Sequence, residues 1–279
     1  VPPRRLRLDA ELVRRGLARS REHAIELIAA GRVSVNKAVA SKPATGVTTD
    51  ADLVVRDDPS SPEYASRGGH KLAGALEVFQ GSGLFVAGRR CLDAGASTGG
   101  FTDVLLREGA REVVAVDVGY GQLVWTLRND PRVQVHDRTN VREINTGLIG
   151  GTVDLVVGDL SFISLELVLD ALIGVTAPDG DLALMVKPQF EVGKERLGKG
   201  GVVRDLGHRA DAVTAIAEAG ARRGWGAQAV TSSPLPGPSG NVEFFLWLRA
   251  GAPKIGRGAV EAEVARSASL GVTGEKVNP

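Results

Sequence analysis

Four charged residues stand where an apolar run ends or begins. They are Lys71 in Ser66-Arg67-Gly68-Gly69-His70-Lys71, Asp159 in Gly158-Asp159-Leu160-Ser161, Lys187 in Met185-Val186-Lys187-Pro188, and Glu243 in Asn241-Val242-Glu243-Phe244. A charge at the end of a buried strand is costly to desolvate unless paired. Two lysines and two carboxylates so placed read as a structural ion-pair network or as a reaction site. The chemistry they suit is removal of a proton from a weakly acidic hydroxyl. Lysine serves as such a base when burial or a nearby positive charge pulls its pKa below about 10.4. Lys187 is the candidate base or hydroxyl-orienting group and Lys71 the neighbouring charge. Asp159 and Glu243 are the groups that hold the ammoniums in place.

A second stretch names the ligand class. Residues 91–102, Cys-Leu-Asp-Ala-Gly-Ala-Ser-Thr-Gly-Gly-Phe-Thr, read as a buried strand, a glycine-rich turn and the start of a helix, and Asp117 closes the next apolar run. Strand, turn, helix and an acid about 20 residues on make a nucleoside-binding α/β half. The Asp117 carboxylate can accept hydrogen bonds from two ribose hydroxyls, and the turn glycines let a ligand approach the backbone.

Three other claims on the turn are weaker. A dinucleotide site needs G-x-G-x-x-G, and Gly95 is followed by Ala96-Ser97. A P-loop needs Lys then Ser or Thr after its last glycine, where this chain has Phe101. Gly95-Ala96-Ser97-Thr98-Gly99 does match the hydrolase elbow G-x-S-x-G, with His136 and His208 downstream, but it sits on too early a strand for that fold. S-adenosylmethionine carries no phosphate, so the looser D-x-G-x-x-x-G-G turn suits it, with Asp93 placed to meet its charged end. The donor-binding set expected from the sequence is Asp93, Gly95, Ser97, Thr98, Gly99, Gly100, Phe101, Asp117, Asp137 and Asp159. The four histidines and one cysteine lack metal-ligand spacing, so no metal site is expected.

The elements that must position these groups alternate from Ser66 onward. Strands are expected at Arg90–Ala94, Glu112–Val118, Val133–His136, Val153–Asp159, Asp181–Val186, Ala227–Thr231 and Val242–Leu248. Helices are expected at Phe101–Arg107, Gln122–Arg128, Leu165–Ile173 and His208–Arg223. Helical crossovers imply parallel strands in a doubly wound α/β sheet. The connection 232–241 holds Pro234, Pro236 and Pro238 but no helix, so the last two strands should pair antiparallel.

Ahead of this lies a small α+β module. It has a helix over Asp9–Arg15 and another capped by Ser20, with Ala24, Ile25, Leu27 and Ile28 as its apolar stripe, then strands at Val33–Asn36 and Leu53–Val55. Residues 1–42 carry ten Lys/Arg against four acids, a net +6 in a chain whose total is only +1. Such a face fits phosphates. The RNA-contact candidates are Arg4, Arg5, Arg7, Arg14, Arg15, Arg19, Arg21, Lys37, Lys42 and, in the larger domain, Arg67. Aromatics make up only 4% of the chain, which argues against a stacking platform of interleaved Phe and Tyr.

These motifs carry a family resemblance. Leu12 to Ala24 and Ile28 to Asn36 resemble the ribosomal-protein S-four type RNA-binding domain. Lys71, Asp159, Lys187 and Glu243 match in chain order the Lys-Asp-Lys-Glu tetrad of FtsJ-type ribose 2′-O-methyltransferases. With Asp93 to Thr102, Val116 to Leu123, Lys187-Pro188-Gln189-Phe190-Glu191 and Pro236 to Glu243, the whole from about Arg4 to Arg249 resembles the TlyA family of ribosomal-RNA methyltransferases, also called haemolysins. The resemblance implies a Rossmann-like class I fold with a seven-stranded mixed sheet and S-adenosylmethionine as cofactor. It also implies 2′-O-methylation of cytidine in ribosomal RNA of the small and large subunits, and with it sensitivity to capreomycin-type antibiotics. The implied layout is an RNA-binding domain at 4–61, a linker at 62–65 that affects cofactor binding, a methyltransferase domain at 66–250 and a tail at 251–279.

Two alternatives stay open: a membrane-lytic protein and a non-catalytic ribosome-binding assembly factor. The longest apolar stretch, Val153–Val175, is interrupted by Asp154, Asp159, Glu166 and Asp170, which argues against a span. The basic N-terminus lacks a signal peptide's apolar core. A cytoplasmic enzyme that meets ribosomal RNA or ribosomal subunits is the expectation.

Overall fold

The structure, a computed structural model, describes residues 5–18, 20–56 and 63–269. The chain divides into two compact units, Val1–Glu63 and Tyr64–Pro279. Arg4, Arg19 and Pro62 of the expected linker lie outside the described residues.

In the first unit, helices Leu8–Arg14 and Arg21–Ala29 pack on a three-stranded antiparallel sheet in which Val33–Val35 lies between Ala38–Val39 and Leu53–Val55. The Ser20 hydroxyl accepts the His23 backbone N–H at 3.2 Å and starts the second helix, as the sequence suggested. Leu8, Leu12, Ala24, Leu27 and Ile28 fill the core. Ile25, expected within the apolar stripe, is instead largely exposed. Two acids on the first helix, Asp9 and Glu11, are wholly buried. Asp9 accepts from Arg7 and Arg21, Glu11 from Arg14 and Arg15. These guanidinium bonds hold the Asp9 carboxyl well below its usual range and lower Glu11 to about 2, against the opposing effect of burial.

The second unit is built on seven strands, β1 (Arg90–Ala94), β2 (Glu112–Val116), β3 (Val133–His136), β4 (Val153–Gly158), β5 (Thr176–Val186), β6 (Trp225–Ser232) and β7 (Phe244–Ala250). Their order is β6-β7-β5-β4-β1-β2-β3. The five strands β1 to β5 run parallel, and β7 lies antiparallel to both β5 and β6. Both faces of the sheet are buried, which is why the central strands read as unbroken apolar runs. Leu92, Val114, Val156, Leu184 and Leu246 pack under one helical layer. Cys91, Val113, Leu155, Ala183 and Phe245 pack under the other. Successive residues of a strand thus alternate between two cores.

The differences from the sequence reading are local. Strands β2 and β4 end at Val116 and Gly158, so Asp117 and Asp159 sit just past them; likewise β7 begins at Phe244, leaving Glu243 just ahead of it. The expected helix over Gln122–Arg128 is only Trp125–Arg128, and that over Leu165–Ile173 is a 3-10 turn followed by Leu169–Val175. An unexpected helix, Gly68–Gln80, precedes β1 and carries Lys71. The stretch after Gly251, read as a frayed helix or a tail, forms the helix Arg257–Arg266, whose Val260 and Val264 join the core. Its Glu263 accepts the Ser232 backbone N–H at the edge strand β6. That contact covers an edge that would otherwise offer unpaired backbone groups.

Candidate active site

Past the carboxyl ends of β1, β2, β4 and β5 lie two adjoining cavities, where ligands of open α/β sheets collect. One, of about 530 Å³, is lined by Asp117, Gln122, Asn140, Phe162 and Ile163 among others. The other, of about 360 Å³, is lined by Ser66, Arg67, Lys71, Thr98, Phe101, Lys187, Pro236 and Pro238 among others. Gly95, Ser97, Asp159 and Ser161 belong to both walls, so these residues form the junction.

The turn after β1 is shaped by its own packing. Gly95 has φ +87°, and a Cβ there would stand 2.9 Å from the Asp159 carbonyl oxygen. Gly99 has φ +100°, and a Cβ there would overlap Leu127 and Leu123. The glycines are therefore required by the protein itself, whatever ligand approaches. Ser97, at φ +46°, aims its backbone N–H at Asp117 Oδ2 over 2.8 Å, while Gly119 N donates to Oδ1 at 2.6 Å. Asp117 is thereby fixed on the cavity wall with lone pairs to spare. The Ser97 hydroxyl meets Gln122 at 3.4 Å rather than a histidine, so the hydrolase elbow lacks its base.

Three residues of the expected donor set, Asp93, Gly99 and Asp137, line neither cavity. Asp93 is wholly buried: Oδ2 accepts from the Thr102 hydroxyl at 2.6 Å and Oδ1 has no partner. Burial pushes its carboxyl up to about 7, with the Thr102 bond opposing and the Asp159 charge adding to the rise. It braces the helix Gly100–Arg107 from inside rather than facing a ligand. Asp137 is held by Arg128 at 2.7 Å, which lowers its pKa, and also accepts from Gly121 N. Gly99 lies under the turn. Gly95, Ser97, Thr98, Gly100, Phe101, Asp117 and Asp159 do reach the walls.

The tetrad resolves into two ion pairs. Lys71 Nζ lies 2.6 Å from Glu243 Oε2, with both residues buried, and Gln189 Nε2 donates to Glu243 Oε1 at 3.2 Å. Lys187 Nζ lies 2.6 Å from Asp159 Oδ1 and donates to Ser161 Oγ at 2.8 Å. Lys71, Asp159 and Lys187 line the same cavity, and Glu243 stands behind Lys71.

Several wall residues were missed from the sequence. Ser161 carried a signal, since it lies two positions after Asp159. Phe162 carried none: it is 90% exposed at φ +64° beside the cavity, with its ring 5.1 Å from Phe190. A left-handed backbone at an exposed phenylalanine is strain that sequence pattern does not reveal.

The larger cavity fits a phosphate-free, cationic nucleoside. Its volume is in the range of small-molecule sites. Its described lining includes Asp117 and Asp159 but neither Lys nor Arg, the groups that would clamp a phosphate.

Of the RNA-contact candidates, Arg5, Lys37 and Lys42 are exposed, and Arg7, Arg14 and Arg21 are about half exposed while paired to the buried acids. Arg15 is turned inward, bonded to Glu11 and to the carbonyls of Ala51 and Thr49, which makes it a brace rather than a contact. Arg67 is exposed on the wall of the tetrad cavity.

Comparison with known proteins follows the same division. The FtsJ-like methyltransferase pattern matches residues 64–250 and the S4 domain pattern residues 6–53. The chain is 61% identical over 246 residues to a Mycobacterium tuberculosis protein named 16S/23S rRNA (cytidine-2'-O)-methyltransferase TlyA, covering 88% of this chain and 90% of that one. It is 37% identical to Hemolysin A of Brachyspira hyodysenteriae, covering 86% and 98%. A solved hemolysin-named structure from Streptococcus thermophilus superposes with a TM-score of 0.73 at 34% identity, over 96% of this chain and 97% of that one.

Proposed function

The chain belongs to the FtsJ-like methyltransferase family, and from that premise we propose that it transfers a methyl group from S-adenosylmethionine to the ribose 2′-hydroxyl of cytidine in ribosomal RNA. The observation that carries the reading is the Lys187–Asp159 pair at 2.6 Å, at the junction between the Asp117 cavity and the tetrad cavity. Asp117 accepts the donor's ribose hydroxyls, while Asp159 faces its charged end. When bound, the donor supplies an electrophilic methyl group on a sulfonium. Lys187 takes the proton of the nucleotide's hydroxyl, and Asp159 keeps its Nζ in place and stabilises the ammonium that results. Lys71 is held by Glu243, and Glu243 by Gln189, so the far wall stays rigid.

The substrate enters as part of ribosomal RNA in one or both subunits. Arg67 receives a phosphate at the cavity mouth, and Arg5, Lys37, Lys42 and the outward faces of Arg7, Arg14 and Arg21 hold the RNA backbone at the first unit. Such a substrate sets the work of the protein in the cytoplasm. Among the described residues no helix is long and apolar enough to cross a membrane.

Calorimetric titration with S-adenosylmethionine tests the donor assignment. Wild type should bind, and Asp117→Ala should bind at least tenfold more weakly, since two charge-assisted hydrogen bonds go. Equal binding by both would refute it.

A further inference from the structure

We infer that Ser161 is a positioning residue for Lys187, aiming the amine's lone pair at the substrate hydroxyl; this rests on Lys187 being the base. A neutral lysine amine has two N–H bonds and one lone pair in a roughly tetrahedral arrangement. The lone pair is useful only if it points into the cavity, and the amine rotates freely about its last carbon–nitrogen bond unless a directed hydrogen bond fixes that torsion. Asp159 Oδ1 attracts the amine from 2.6 Å but takes no directed hydrogen bond from it. Ser161 Oγ accepts the directed hydrogen bond that Nζ donates, at 2.8 Å. The Phe190 ring lies near the same Nζ, but at 5.9 Å it is at the outer limit of attraction and fixes no direction. The remaining direction is the one left for the substrate.

The placement of Ser161 supports this role. It lines both cavities, as Asp159 does, so it stands where the two reactants meet. Its hydroxyl has one donor and two acceptor sites, and the contact with Lys187 uses an acceptor. Its own proton has no acceptor among the described residues, which leaves it free to turn away from Lys187. The loop that carries it is anchored from the Lys187 side of the site. Glu191 accepts from the Ser164 hydroxyl at 2.6 Å and from Leu165 N at 2.9 Å. Residues 161 and 187 are thus tied together twice, once by their side chains and once through Glu191.

The test compares wild type, Ser161→Ala, Ser161→Thr and Lys187→Ala in single-turnover methyl transfer to purified ribosomal subunits, with donor and subunit affinities measured separately. Ser161 is exposed, so none of the substitutions there disturbs the core. Ser161→Ala should lower the single-turnover rate about tenfold, combining one lost hydrogen bond with a freed rotor. Both affinities should stay within about twofold of wild type. Ser161→Thr restores the hydroxyl and should recover most of the rate. An unchanged rate in Ser161→Ala, or a Thr variant as slow as Ala, would overturn the inference, as would a loss lying wholly in affinity. Lys187→Ala separates this from the underlying reading. If it is inactive while Ser161→Ala is normal, only the role of Ser161 fails; if it retains the wild-type rate, the base assignment fails and this inference with it.

Discussion

Breaking the Lys71–Glu243 pair should destabilise the second unit far more than removing it altogether. The two side chains meet at 2.6 Å, with Lys71 7% and Glu243 1% exposed, so neither charge can turn to water when its partner is lost. Removing one partner of a buried pair costs about 3–5 kcal/mol, whereas replacing both by apolar groups of similar size is close to neutral. In Lys71→Met the Glu243 carboxylate keeps only its 3.2 Å bond from Gln189. In Glu243→Leu the Lys71 ammonium loses its one ion pair among the described residues. Each single variant should therefore lose about 3–5 kcal/mol, and the double variant should recover most of it. For a unit of this size that is a fall in Tm on the order of 10 °C for each single variant. All three tryptophans, Trp125, Trp225 and Trp247, lie in the second unit, so their fluorescence in urea reports on it selectively. All three variants should also fail to transfer methyl groups. Single variants that each cost under about 1 kcal/mol, adding simply in the double, would refute the pairing argument.

Three further outcomes follow from the electrostatics. The Asp93 carboxyl, pushed up to about 7 by burial from an ordinary 3.8, binds its proton more tightly folded than unfolded. Stability should therefore fall as pH rises from about 4 to 7, by at most about 1.4 kcal/mol per pH unit, and Asp93→Asn should flatten that slope in urea titrations; a slope unchanged by the substitution would contradict the burial argument. In the first unit, Lys37→Gln with Lys42→Gln should weaken RNA binding and reduce its logarithmic salt slope by about 0.7–0.9 per lost phosphate contact, with no loss of stability. Arg15→Ala should instead lower stability, because it strips a partner from the buried Glu11 carboxylate. The reverse pattern in binding and melting would overturn the division between contacts and braces.

The sequence was most legible where the physics is one-dimensional. A strand buried on both faces is a short apolar run, so β1 was bounded to the residue, as was the half-buried edge strand β3. Asp159, Lys187 and Glu243 were visible as charges at the ends of such runs, whereas Lys71 was visible only as a charge at the start of the domain. The helix Gly68–Gln80 was hidden because Gly68, Gly69 and Gly74 suppress a helical reading. Tertiary contacts require two of them: a Cβ at Gly69 would overlap the Tyr64 ring, and one at Gly74 would lie 2.8 Å from Pro234. Direction is the other thing pattern does not carry. Asp93, the penultimate residue of β1, and Asp117, just past β2, flank the same turn, yet one faces the core and the other the cavity. The burial of Asp9 and Glu11 was not legible, because nothing in their spacing says that four arginines close over them.

The most direct test is transfer of a labelled methyl group from S-adenosylmethionine to ribosomal subunits that lack the modification, followed by digestion of the RNA to nucleosides. Wild type should place the label in 2′-O-methylcytidine, and Lys187→Ala should place none. Label on a base, or no transfer by wild type to either subunit, would contradict the account.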